Sequence, residues 1–174
     1  RLLSSIEAFA RAELERSDAA AAVFARHAGH YLALAAARSH ERRMAAGPLP
    51  PGLEQNLRAI AERAIADRPA PGLGAGHALA ALSHLAELAT DPLALLPAVD
   101  RALESSAGVD SATLTRAQLT RARLLLRAGK SRAAIAEFCA LADTTADTAL
   151  RAEACFGAGH AQRQQGQQPA ASRA

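Results

Sequence analysis

Aromatic side chains are almost missing from this chain, which has one Tyr, four Phe and no Trp in 174 residues. A core of stacked rings is therefore excluded, and aliphatic side chains must fill it. β-Branched residues, which favour strands, are few and scattered. Two cysteines, Cys139 and Cys155, are too few for a disulfide framework and lack the spacing of a metal site. They are expected to be two buried thiols of a reducing compartment. No apolar run approaches the roughly 20 residues that cross a bilayer, and no secretory leader pattern is present. The formal charge of +3 is too small to argue for nucleic acid. What is abundant is alanine, within a chain that is 50% hydrophobic. Alanine has the highest intrinsic helix propensity and lets helices approach closely. The composition reads as all-α.

Apolar periodicity and end signals place eight helices. Ser4 and Glu7 are spaced as a capping box for the first, which runs to Arg16 and is expected to bury Ile6, Phe9, Ala10 and Leu14. Asp18 is positioned to cap a long second helix to Ala46, with Val23, His27, Tyr31, Leu34 and Ala35 inward. The run Gly47-Pro48-Leu49-Pro50-Pro51-Gly52 stops it, because proline cannot continue the backbone ladder. A third helix over 53–67 turns Leu57, Ile60, Ala61 and Ile65 inward, and the Pro/Gly-rich stretch 68–74 follows as a loop. The fourth covers 77–89 with Leu79, Leu82, Leu85 and Leu88 apolar, and Asp91-Pro92 caps or interrupts next. The fifth covers 97–106. The last three cover 111–128, 131–143 and 147–165.

Two groups of residues carry resemblances. The opening segment, with Arg1-Leu2-Leu3, Ile6, Phe9, Leu14, Arg26-His27-Ala28 and Tyr31-Leu32, resembles a junction in STAND-class signal-transduction ATPases, and Leu53-Glu54-Gln55-Asn56-Leu57-Arg58-Ala59 echoes a helix found before their helical repeats. In that class an RLL-type strand ends a winged helix and passes into connector helices. The second group lies towards the C-terminus, where Gly129 and Gly166 are 37 residues apart, about the period of a tetratricopeptide unit. Aligned on these glycines, Ala122 and Gly159 fall at the small position of the first helix, Ala134 and Ala171 at that of the second, and Phe138 at the aromatic plug. Arg121 and Leu141 depart from the pattern.

These resemblances imply antiparallel helix pairs in a tetratricopeptide-like right-handed superhelix. Residues 1–46 would be connector helices after a winged-helix domain, 47–110 degenerate repeats, and 111–174 tetratricopeptide-like repeats. A chain that opens without Met and stops within a repeat is expected to be part of a longer protein. The implied function is a non-catalytic sensor or protein-interaction region of a cytoplasmic bacterial regulator, probing an effector on behalf of an upstream switch. A free-standing scaffold module for a protein partner is the alternative. No cofactor is implied, and neither nucleic acid nor a membrane is expected to be contacted directly.

The residues themselves offer one site. Arg116, Arg123 and Arg127 form one stripe at about 100° per residue, and segment 115–132 contains no acid. Leu114, Ala117, Leu124, Leu125 and Ala128 would form a separate buried stripe. Phe156 and His160 are expected to project toward the same groove. Guanidinium forks bind carboxylates bidentately, so an acidic peptide or anionic effector suits such a groove; a solvated helix face is the bland reading. Arg121 lies near the buried stripe and needs a carboxylate, for which Glu137 is available. His27 and His30 lie one turn apart but leave a zinc ion short of ligands, so His27 is read as packing beside Tyr31. His77 and His84 share a face and are read the same way. Gly129-Lys130-Ser131 looks like the end of a phosphate loop, yet Leu124 stands where the earlier glycine belongs. Arg38, His40, Arg42 and Arg43 suit the negative end of the second helix's dipole.

Overall fold

A computed structural model describes residues 2–42, 50–88 and 91–166. Pro48, Pro169, Ala171 and Arg43, and the side chains of Ser4, Glu7, His40 and Arg42, lie outside the described residues. Within them the chain is all-helical: α1 Leu2–Arg16, α2 Ala20–Arg42, α3 Leu53–Ala64, α4 Ala75–Leu88, a 3-10 turn Pro92–Leu95, α5 Leu96–Glu104, α6 Ser111–Arg127, α7 Ser131–Thr144 and α8 Thr148–Gly166.

The helix ends follow local chemistry. Asp110 accepts from the Thr113 amide at 2.9 Å, capping α6, and Asp147 accepts from the Ala149 amide at 2.8 Å, capping α8. Pro92 opens the 3-10 turn, where its missing amide costs nothing. Gly129, at φ +73°, closes α6. Its amide donates to Leu126 and that of Lys130 to Leu125, the paired bonds of a Schellman turn. Gly129-Lys130-Ser131 is thus a helix–helix turn, and the likeness to a phosphate loop ends there.

Packing alternates along the chain. The even-numbered helices α2, α4, α6 and α8 touch in succession, while among the described residues α3, α5 and α7 touch only their sequence neighbours and no other odd-numbered helix. The core is correspondingly divided. One cluster draws Ala28 and Ala35 of α2 together with Leu57, Ile60, Leu79, Leu85, Val99 and, from α6, Ala117 and Leu124. The other joins Leu119, Ala122 and Leu125 of α6 to Ala134, Phe138 and Leu141 of α7 and Leu150, Ala154 and Ala158 of α8. Helix α6 belongs to both.

Phe138, 1% exposed, is the plug of the second cluster. Its ring lies against Gly157, where an added Cβ would sit 2.6 Å from a ring carbon. The close approach therefore falls at Gly157, not at the repeat-aligned Gly159, whose Cβ would meet only the end of Arg163. Gly72, at φ +76°, performs a similar service for the loop over α2: a Cβ there would lie 2.4 Å from the Ala21 carbonyl oxygen.

Several expectations are corrected. Leu2 and Leu3 begin a helix rather than end a strand; there their carbonyls are satisfied within the segment, while their amides are the free donors of a first turn. Ile6 and Phe9 are 57% and 67% exposed, and Ala10 is exposed too. Among the described residues α1 packs only on α2, so its apolar face has nothing to cover it. On α2 the buried line is Ala20, Phe24, Ala28 and Ala35, leaving Val23, His27, Tyr31 and Leu34 half-buried at its flank. On α6 Leu114 is half-buried and Ala128 exposed, while Leu119 and Ala122 are buried, because the helix is covered from two sides. Both cysteines are exposed, each one residue beyond a buried neighbour, Phe138 or Ala154. One residue is a 100° rotation, enough to leave a seam.

Candidate functional site

The even-numbered helices bring their polar residues to one groove. A cavity of about 410 Å³ is lined by Ser83, Ala86 and Glu87 of α4, by Thr120, Arg123 and Arg127 of α6, and by His160 of α8. A second, of about 530 Å³, shares Ser83, Thr120 and Arg123 and adds His84, Arg116 and Glu153. The three arginines of the α6 stripe thus line adjoining cavities. The Ser83 and Thr120 hydroxyls, both buried, donate back to the Leu79 and Arg116 carbonyls of their own helices at 2.8 and 3.0 Å. They present oxygen lone pairs rather than free donors to the groove.

The cations are partly engaged. Arg123 Nη2 donates to Glu153 Oε1 across the α6–α8 seam. Arg127 Nη1 donates to the Ala86 carbonyl at 3.4 Å, and Arg116 lines the same cavity as His84. His84 is held below the usual histidine range: burial penalises the charged ring most, Glu87 opposes this, and Arg116 adds repulsion. The His160 ring nitrogen Nε2 lies 3.0 Å from the Gln164 side-chain amide on α8. Phe156 is 73% exposed and is not among the residues that line either cavity.

The sequence pointed to Arg116, Arg123, Arg127 and His160 but gave no sight of Glu87 and Glu153, which bring negative charge to a segment that itself has none. Neither acid is near the stripe in sequence. Ser83, a lone hydroxyl in the apolar run of α4, is buried beneath the groove.

Arg121 does what its position required, and more. It pairs with Glu137 of α7 and also with Asp100 of α5, Nε to Oδ1 at 2.5 Å. His27 Nε2 sits 2.9 Å from Asn56 Oδ1 and its ring 4.9 Å from that of Tyr31, the packing read from sequence. His77 has a different duty from His84: its Nδ1 accepts from the Gly74 amide at 3.3 Å at the start of its own helix. Among the described residues no three His, Cys, Asp or Glu side chains are grouped to hold a metal. Nor, among them, is any helix long and apolar enough to cross a membrane. Comparison of the chain with protein-family models, curated proteins and solved structures gives no match.

Proposed function

We propose that this chain is a non-catalytic binding arm, built as a tetratricopeptide-like superhelix, whose groove takes an acidic peptide or anionic effector. The observation that carries the reading is the convergence of Arg116, Arg123 and Arg127 on adjoining cavities between α4, α6 and α8. Guanidinium groups at a partly enclosed surface offer planar donor pairs to carboxylates, and the hydroxyls and His160 supply further polar contacts. Successive contacts among α2, α4, α6 and α8 support this reading, since repeat arrays present a continuous inner face to extended ligands.

The setting we propose is the sensor region of a STAND-type ATPase acting as a bacterial transcriptional regulator in the cytoplasm, on the strength of residues 1–34 and 53–59 in the sequence. There an occupied groove would shift the upstream switch only by as much as the effector's affinity differs between its two states. The test of the binding arm is titration with a Glu-rich peptide at low and moderate salt. Saturable binding that weakens with salt and is lost in the Arg123→Gln/Arg127→Gln variant supports the proposal; binding indifferent to both arginines refutes it. The regulator setting is tested by the coding sequence upstream of Arg1, which should specify a phosphate-binding loop and a winged helix.

A further inference from the structure

A larger cavity, of about 650 Å³, opens on the opposite side of α6. At about 100° per residue, Leu114, Gln118 and Arg121 lie nearly diametrically across α6 from Arg116, Arg123 and Arg127. The walls are α5 and α7, which do not touch each other among the described residues; the 9 residues of α5 leave part of the longer α6 uncovered. Leu103, Leu114, Ala140 and Leu141 give it an apolar lining, and Asp100, Glu104 and Glu137 surround this with carboxylates. Among the described residues Arg121 is the one cation of the lining, so three carboxylates face a single guanidinium. Arg121 is already shared between Asp100 and Glu137, whereas Glu104, on the same face of α5 as Asp100, is exposed.

We infer that this cavity is a second binding site, for a small organic cation with an apolar body, such as an alkylammonium. Its volume is within the range of ordinary small-molecule pockets, roughly 300–1,000 Å³. The apolar lining accepts the hydrocarbon, and Glu104 with the outer oxygens of Asp100 and Glu137 receives the ammonium. The excess of negative charge repels carboxylate ligands of the same shape, which separates this site from the arginine groove. Because the buried residues of α5 fall in the first core cluster and those of α7 in the second, an occupant spans the seam between clusters that α6 and Leu96 already bridge.

The experiment is an NMR titration of the full chain at neutral pH with hexylammonium, 1-hexanol and hexanoate, three probes of one length and different charge. Hexylammonium should bind saturably, shift the methyl signals of Leu103, Leu114 and Leu141, and bind at least tenfold more tightly than hexanol; hexanoate should leave those signals unmoved. Glu104→Gln should weaken hexylammonium about tenfold with an unchanged Tm, and Arg123→Gln/Arg127→Gln should leave its affinity as it was. Absence of saturable hexylammonium binding overturns the inference. So do equal affinities for hexylammonium and hexanol, or shifts that map to the α4–α6–α8 groove.

Discussion

The two open faces of α6 carry the same residue type in opposite circumstances. On one, Arg121 is enclosed between Asp100 and Glu137, and negative charge prevails around it. On the other, Arg116, Arg123 and Arg127 are spread along a groove into which Glu87 and Glu153 reach from neighbouring helices. Four arginines fall within twelve residues of one helix, and periodicity already sets Arg121 apart from the other three. What it does not give is the full set of carboxylates that the flanking helices bring to each face, so a stripe of like charge on one helix says little until its neighbours are placed.

The change with the largest expected effect tests the frame that holds the two faces apart. Phe138→Ala should cost about 3–5 kcal/mol in urea denaturation, the usual range for truncating a buried Phe, because its ring fixes α8 through Gly157. A loss under about 1 kcal/mol would mean that Glu137 and Glu153 are positioned by something else.

Arg121→Gln comes next, at about 1–2 kcal/mol, since it leaves Asp100 and Glu137 facing each other with no cation between them; exposed pairs are worth less, about 0–1 kcal/mol. Arg123→Gln measured beside it should cost about 0.5 kcal/mol. Equal losses would erase the contrast between a structural and a surface arginine.

For binding, Arg123→Gln/Arg127→Gln should weaken a Glu-rich peptide at least tenfold while Tm moves little. Neutral glutamine is preferable to charge reversal, because a glutamate at 123 would oppose Glu153 and confuse repulsion within the fold with loss of the ligand. Glu153→Gln is a smaller and opposite change. Freed from its internal partner, Arg123 should bind the same peptide about two- to threefold more tightly by calorimetry; weaker binding would show that Glu153 orients Arg123 instead of competing for it.

The smallest effect is the pH dependence of His84. Its folded-state pKa lies below the unfolded value of 6.5, so on acidification the unfolded chain takes up the proton first. The stability that this neutral ring contributes is present above pH 6.5 and lost as pH falls through the folded pKa. Stability should therefore decline on acidification below pH 6.5, and His84→Asn should flatten that part of the curve. An unchanged slope would assign it to other groups.

Much of the fold was legible because its signals are local. Pro92 and Gly129 act within a few residues of themselves, as do the caps Asp110 and Asp147 that the structure adds, and the leucines of α4 repeat with the helical period. Leu79, Leu82, Leu85 and Leu88 are all buried, as that period requires. For the candidate groove, periodicity put three arginines on one stripe, whereas Phe156, on α8, had no such constraint and is not among the residues that line either cavity.

By itself, then, the sequence determined the helices, most of their ends, the aliphatic core and the arginine row, all of which depend on propensities and spacings along one segment. Only the tertiary structure decided that Ile6 and Phe9 stay exposed, that Gly157 rather than Gly159 receives Phe138, and that Glu153 closes on Arg123 while Asp100 joins Glu137 on Arg121. Burial and ion pairing depend on which surfaces meet across distant segments, and a one-residue turn of a helix by 100° is enough to exchange one partner for another.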